Sequence, residues 1–142
     1  MSVVPSQILY LEHGSSRLYA EAIQVIDTRH LCWARPSLLI QGLPENSNPV
    51  TRQTLISEAA QMPDESDLQL YDLEDGPDLI WPLDLFHLAF DVDFFSLLVH
   101  LKINPDDIAQ RRGSGQLNEF IQSYWHTHAD VFRQTVGERS SS

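Results

Sequence analysis

Lysine and cysteine are almost missing from this sequence of 142 residues, which contains one of each, Lys102 and Cys32. A single cysteine excludes an internal disulfide framework and any metal site built from several cysteines. With one lysine, the chain has no glycine-rich loop ending in lysine of the kind that holds nucleotide phosphates. The six glycines form no dinucleotide-binding fingerprint, and there is no G-x-S-x-G nucleophile pattern. The usual sequence patterns of nucleotide-binding and hydrolytic enzymes are therefore absent.

Histidines and acids occur near one another in two places. Asp84, His87 and Asp91 are spaced i, i+3 and i+7, so on a helix they would form one polar stripe. Two carboxylates beside an imidazole suit a small metal-dependent or acid/base enzyme, although the solvent-facing side of an otherwise buried helix explains the stripe without any ligand. His126 and His128 would point apart on a helix, at ~3.6 residues per turn. We expect His128, which lies among apolar residues, to be a hydrogen-bonded core side chain.

Folding is predicted to require no tightly bound metal or other cofactor. The sequence contains one cysteine and no closed set of ligands with metal-site spacing. A chelator should therefore leave the melting temperature of the purified protein unchanged. One equivalent of zinc by elemental analysis, together with unfolding on chelation, would contradict this prediction.

Basic residues are absent from a long central segment. Nine Lys and Arg stand against twenty Asp and Glu, a formal net charge of −11. No Lys or Arg lies between Gln53 and Leu101, whereas eleven acids do. They are Glu58, Asp64, Glu65, Asp67, Asp72, Glu74, Asp75, Asp78, Asp84, Asp91 and Asp93. Such a segment repels nucleic acid and anionic membranes, whose affinity for proteins comes from Lys and Arg.

The acidic segment predicts a docking face for a basic protein surface, in which charge would mainly speed the encounter. We assign the partner-binding role to Asp72, Glu74, Asp75 and Asp78, in and after a predicted strand, and expect their charge reversal to leave the fold intact. The alternative, that the acids only keep the protein soluble, stays open. An RNA-binding small barrel is a further alternative, because aromatic and basic residues alternate around Trp33. These residues are Arg29, His30, Trp33 and Arg35.

The N-terminal part of the chain predicts antiparallel strands joined by short turns. β-rich runs separated by Gly, Ser and Asp are typical of consecutive hairpins. The predicted strands are residues 8–11, 17–26, 31–40 and 67–73. Residues 17–26 could also form a helix, and residues 51–60 either a short helix or a loop. Residues 79–82 end in proline, which lacks an amide donor, so we expect them to lead out of the sheet.

The C-terminal part predicts helices. Leu85, Leu88, Val92, Phe95 and Val99 follow a 3,4 spacing that indicates one continuous helix, either buried in the core or covered by a partner. Asp84, Asp91, Asp93 and Pro82 make a membrane span through 79–101 too costly. Residues 104–107 predict the start of a short helix that Gly113 ends, and a last helix begins at Ser114 or Gly115. Arg111 and Arg112 suit a helix C-terminus, and whether they contact a ligand is open.

Two stretches resemble a group of small acidic cyanobacterial proteins of uncharacterised function. They are RLYAEAIQVIDTRHLCWARPSLLI and DLEDGPDLIWPLDLF, and the resemblance covers residues 8–95. It implies a cytoplasmic or stromal-side setting near photosynthetic machinery, and no activity or functional residues. The strand order is also similar to SH3-like small barrels, which commonly bind partners.

Taken together, these patterns predict an α+β protein, since strands and helices are segregated along the chain. We expect one domain, with an antiparallel sheet or small SH3-like barrel in residues 1–80, helices in 81–137 and a disordered tail in 138–142. Hydrophobic residues make up 42% of the chain, enough for a packed core. Trp33 and Trp81 are expected to join the sheet to the helices, and Cys32 to be a small buried side chain. Residues 1–14 lack a basic stretch before an apolar one, so we expect no secretory signal and a soluble cytoplasmic protein. Because the sequence contains no catalytic motif, we expect it to bind partners without catalysis.

Overall fold

The computed structural model describes residues 3–73, 76–89, 92–103 and 113–133, which form an α+β structure. Its centre is an open, antiparallel sheet of six strands in the order β4-β3-β2-β1-β6, with β5 also paired to β3. The strands are β1 (Ile8–His13), β2 (Ser16–Ile26), β3 (Leu31–Gln41), β4 (Gln69–Asp72), β5 (Leu79–Pro82) and β6 (His87–Leu88). The helices are α1 (Pro49–Gln61), α2 (Asp93–Ile103) and α3 (Ser114–Thr127). Because the sheet does not close, the predicted antiparallel sheet is present and the barrel is not.

Strands β1, β2 and β3 form two consecutive hairpins, which confirms the predicted meander and the strand interpretation of residues 17–26. Gly14 has a φ of 56° in the turn between β1 and β2, a conformation that glycine adopts without steric cost. The connection from β2 to β3 is a single 3₁₀ turn, Asp27–Arg29. Because both connections are short, β2 pairs with its two sequence neighbours, β1 and β3, and lies in the middle of the strand order.

Two bulges change the alternation of side chains in the centre of the sheet. Tyr19 pairs with Leu38 while the next residue, Ala20, pairs with Pro36, so Ser37 is an extra residue in β3. A second irregularity lies between Ala22 and Gln24. A bulge inserts one residue and tolerates a proline that has no amide donor. Pro36 is thereby accommodated in an interior strand.

Helices cover both faces of the sheet. Leu9 and Leu11 point to the face on which Leu117, Phe120 and Tyr124 of α3 pack. Side chains on the other face of the sheet pack against the helices α1 and α2 and form a second core. Its buried members are Tyr19, Leu38, Ile40, Leu43, Ile56, Ala59, Leu70, Phe94, Leu97 and Leu101. Both faces of the sheet are therefore packed against helices.

The start of α1 follows from local sequence. The Asn48 side chain accepts a hydrogen bond from the amide of Thr51 at 2.8 Å, and Pro49 occupies the first helical turn. An Asn cap followed by proline is a preferred helix beginning. Of the two possibilities for residues 51–60, the helix is present.

Two predictions about the chain after residue 78 are wrong. Residues 79–82 do not leave the sheet but form β5, in which Trp81 pairs with Cys32. The continuous helix expected from Leu85 does not form, because a 3₁₀ turn ends at Leu85 and Leu88 belongs to β6, which pairs with β1. The helix starts only at Asp93, so the 3,4 spacing spans three different elements.

The last helix begins at Ser114, as predicted, and residues 129–133 are helical again. Gly113 donates its amide to the carbonyl of Asp72 at 3.1 Å, which ties the start of α3 to β4. The predicted helix start at 104–107, the Arg111–Arg112 pair and the tail at 138–142 lie outside the described residues.

Candidate acidic docking surface

The end of α1 and the turn that follows it form an acidic groove of about 480 Å³. Its lining includes the exposed acids Glu58, Glu65 and Asp67, with Leu55 and Met62 supplying apolar surface. We call these five residues the acidic groove. None of the described residues that line it is Lys, Arg or His. The groove therefore combines acidic and apolar residues, and none of its described lining residues carries a positive charge.

Asp64 extends the acidic groove towards α2. It lines a smaller adjoining cavity of about 150 Å³ that shares Ala59, Ser66 and Leu68 with the groove. Its Oδ1 lies 3.9 Å from Nε2 of His100, on the side of α2. The 3₁₀ turn Pro63–Glu65 thus connects the acids of the groove to the surface of α2.

Asp78, predicted to bind a partner, is bound within the chain. Its carboxylate accepts hydrogen bonds from Arg35 Nε at 3.0 Å and Nη2 at 3.2 Å, and from Trp33 Nε1 at 2.9 Å. These bonds, first from Arg35 and then from Trp33, hold the pKa of Asp78 below its usual value. Asp78 therefore ties the start of β5 to β3, and its charge is already matched by a cation.

Asp72 is buried, with 7% of its surface exposed, and its Oδ2 lies 3.9 Å from Nζ of Lys102. Both carboxylates therefore make internal contacts, so charge reversal at Asp72 and Asp78 is expected to remove contacts within the fold as well as surface charge. Glu74 and Asp75 lie outside the described residues. The exposed acids that line one groove are Glu58, Glu65 and Asp67, which lie at the beginning of the acidic segment.

The proposed stripe of Asp84, His87 and Asp91 does not exist as one helix face. Asp84 lies in a 3₁₀ turn, where its Oδ1 is 2.8 Å from Nε2 of His30. His87 belongs to β6 and stacks on the ring of Tyr10, with 5.1 Å between ring centroids. Asp91 is outside the described residues. Within the described ranges, no group of three or more His, Cys, Asp and Glu side chains could hold a metal ion.

The residues of the RNA-binding alternative are only partly available to a ligand. Trp33 and Arg35 both bind Asp78, and His30 binds Asp84. Arg29 ends the turn between β2 and β3. Because Trp33 and Arg35 already donate hydrogen bonds to Asp78, no observation on this surface favours RNA binding.

Cys32 is buried as predicted, and His128 is partly buried and makes a ring contact and the expected hydrogen bond within the chain. Cys32 is fully buried, and burial raises the pKa of its thiol, so it is a core side chain. His128 stacks on Tyr124 at 4.1 Å between ring centroids, and its Nδ1 lies 3.1 Å from the carbonyl of the same residue.

An ion-pair network that the sequence did not indicate fixes the start of α1 on the sheet. Glu12 Oε2 accepts hydrogen bonds from Arg17 Nε at 3.0 Å and from Arg52 Nη1 at 3.1 Å. Arg17 also lies over the ring of Tyr10, 4.2 Å from its centroid, and donates to Gln53 of α1. One carboxylate thus holds two buried guanidinium groups and fixes the start of α1 on the sheet. The other end of α1 lines the acidic groove.

The outer face of α2 carries large apolar side chains that face solvent. They follow a helical spacing opposite the buried positions Phe94, Leu97 and Leu101. We call them the α2 ridge; they are Val92, the residue before α2, at 74% exposure, Phe95 at 55%, Val99 at 58% and Ile103 at 66%. Single exposed apolar residues are ordinary, whereas large contiguous apolar patches are uncommon on monomeric proteins.

Among the described residues, no helix combines the length and apolar character that crossing a membrane requires. Comparison with protein families, with curated proteins and with solved structures finds no match to this chain. The arguments about function therefore rest on the surface itself.

Proposed function

We propose that this chain is a non-catalytic binding protein that docks a basic protein surface at the acidic groove. The observation that carries the proposal is that Glu58, Glu65 and Asp67 line one groove together with apolar residues, with no cation among the described lining residues. Carboxylates attract Lys and Arg side chains, and neighbouring apolar side chains such as Leu55 and Met62 accommodate their methylene stems. A cytoplasmic setting and a partner from a photosynthetic complex belong to this proposal.

The acids of the groove should act mainly on the rate of encounter. Exposed charges at longer range than a Debye length of about 8 Å are screened at physiological salt, so steering weakens as salt rises. The internal pairs of Asp72 and Asp78 contribute little to this attraction, because each faces a cation of the same chain.

The expected result concerns the variant Glu58→Lys/Glu65→Lys/Asp67→Lys. Its association rate with the basic partner should fall by about tenfold at low salt, since steering by several charges changes on-rates by roughly 10–10³. Near 1 M salt, where the Debye length is about 3 Å, wild type and variant should associate at similar rates. The partner is captured from a native extract, identified by mass spectrometry, purified, and used in stopped-flow or surface-binding kinetics.

The matched control is Asp27→Lys/Glu119→Lys/Asp130→Lys, which changes the net charge equally at exposed acids outside the acidic segment. It should slow association much less than the groove variant does. Equal slowing by both variants would mean that only total charge matters. An unchanged rate in the groove variant at both salt concentrations would mean that the acids merely solubilise the protein, and either result would overturn the proposal.

A further inference from the structure

The α2 ridge is exposed on a helix whose opposite face is part of the core. Phe94, Leu97 and Leu101 are buried at 2% exposure or less, whereas the ridge positions are more than half exposed. The helix is therefore apolar on two faces, and only one of them is used within the described residues. Leaving four large apolar side chains in water costs free energy that burial against a partner would recover.

The acidic groove reaches the flank of α2 through Asp64. Asp64 belongs to the turn that contributes Glu65 to the groove, and it lies beside His100 on the flank of α2. On the same flank Asp93, at the start of α2, accepts a hydrogen bond from Ser57 of α1 at 2.7 Å. An occupant of the ridge would thus have carboxylates along one side of its contact.

We infer that the α2 ridge binds an amphipathic helix of the basic partner, with an apolar stripe against the ridge and Lys or Arg on the flank that meets the acidic groove. This inference rests on the proposed function and names the form of the partner. Two apolar helix surfaces pack by interdigitating residues spaced three and four apart, which is the spacing of the ridge. No Lys or Arg lies between residues 53 and 101, and Lys102 at the end of α2 lies 3.9 Å from the carboxylate of Asp72, so acids outnumber bases and the surface is complementary in charge to a basic helix.

A second copy of this chain fits the surface less well. Each copy carries a formal charge of −11, so pairing two ridges would bring two acidic surfaces together. The two longer stretches of sequence outside the described residues, 104–112 and 134–142, contain only Ile108 and Val136 as large aliphatic residues. Neither offers a stripe that matches four apolar side chains.

The test uses the full chain and a fluorescent synthetic peptide of about 18 residues, or five turns at ~3.6 residues per turn. The peptide carries leucines at helical spacing and lysines on one flank. A second peptide has glutamates in place of the lysines, and a third has the lysine peptide's composition in scrambled order. We expect the lysine peptide to bind and the other two to bind much more weakly.

Val99→Glu should weaken binding of the lysine peptide by about tenfold, since it removes one buried valine contact. The change adds a negative charge, which would by itself strengthen attraction to lysine, so a loss can only come from the apolar contact. It should appear as faster dissociation, whereas the groove variant Glu58→Lys/Glu65→Lys/Asp67→Lys should slow association. The control Val50→Glu makes the same change at an exposed valine of α1 and should leave both rates unchanged.

Each alternative outcome has a distinct meaning. If Val99→Glu binds like wild type while the groove variant associates slowly, the ridge is not the contact and the proposed function stands. If neither variant differs from wild type, or the lysine peptide does not bind, the inference is overturned. A wild-type dimer in sedimentation that Val99→Glu dissociates, or binding to phosphatidylcholine vesicles that Val99→Glu abolishes, would assign the ridge to a second copy or to lipid and would also overturn it.

Discussion

Replacing Trp81 with alanine should lower the free energy of unfolding by about 3–5 kcal/mol, the usual range for a buried large aromatic side chain. Trp81 is 8% exposed and lies on β5 opposite Cys32. Its ring stacks on Tyr124 at 5.2 Å and meets the edge of Phe132 at 5.1 Å. The substitution would leave a cavity between the sheet and α3, and chemical denaturation followed by circular dichroism measures the loss.

Trp125→Ala is the matched control for Trp81→Ala, because Trp125 stacks on the same Phe132 but is 43% exposed. Its loss should be about 1 kcal/mol, closer to that of a surface substitution. A loss below about 1 kcal/mol for Trp81→Ala would show that the ring does not join the two layers. Tyr124, on which Trp81 stacks, is itself buried, and this burial raises the pKa of its hydroxyl group to about 12.

Replacing Glu12 with alanine should cost about 3 kcal/mol, because it leaves two guanidinium groups without their carboxylate. Arg17 and Arg52 have side-chain exposures of 2% and 10%, so water replaces the lost partner poorly. The same measurement of unfolding free energy applies, and Glu119→Ala on the exposed face of α3 provides the control. A cost below about 1 kcal/mol would mean that the network contributes no more than a surface ion pair.

The double variant Glu12→Ala/Arg17→Met separates an unpaired charge from lost packing. Methionine retains most of the apolar volume of the arginine stem but carries no charge. If the stranded guanidinium causes the loss, the double variant should be more stable than Glu12→Ala alone. A double variant that is less stable by the sum of both single losses would mean that the arginine stabilises through packing instead.

Local signals in the sequence predicted most of the sheet and the beginning of the last helix at Ser114, and they left residues 51–60 open between a helix and a loop. The alternation of Leu9 and Leu11 and the turn at Gly14 act through neighbours within a few residues. The segment after residue 78 was mistaken because its structure depends on distant pairing. β5 and β6 are held by β3 and β1, and a chance 3,4 spacing of Leu85, Leu88 and Val92 resembled a helix.

The sequence indicated the charge of the proposed site but not which acids form it. The lack of Lys and Arg from 53 to 101 drew attention to the acidic segment, which contains the exposed acids of the groove. Which acids face solvent could not be read from the sequence, because Asp78 meets Arg35 from 43 residues away. Asp72 meets Lys102, which lies on another element. The groove needs the end of α1 and the following turn to come together, and no local spacing indicates that.

The edges of the sheet decide how chains can associate through their backbones. The two longest strands, β2 and β3, have 11 residues each and lie inside the sheet. At the outside, β6 has two residues, and β4 and β5 have four each, with Pro82 ending β5. Short edges interrupted by proline are poor templates for adding another strand and thus for fibril growth. At high protein concentration, the brevity of these edges should limit cross-β aggregation.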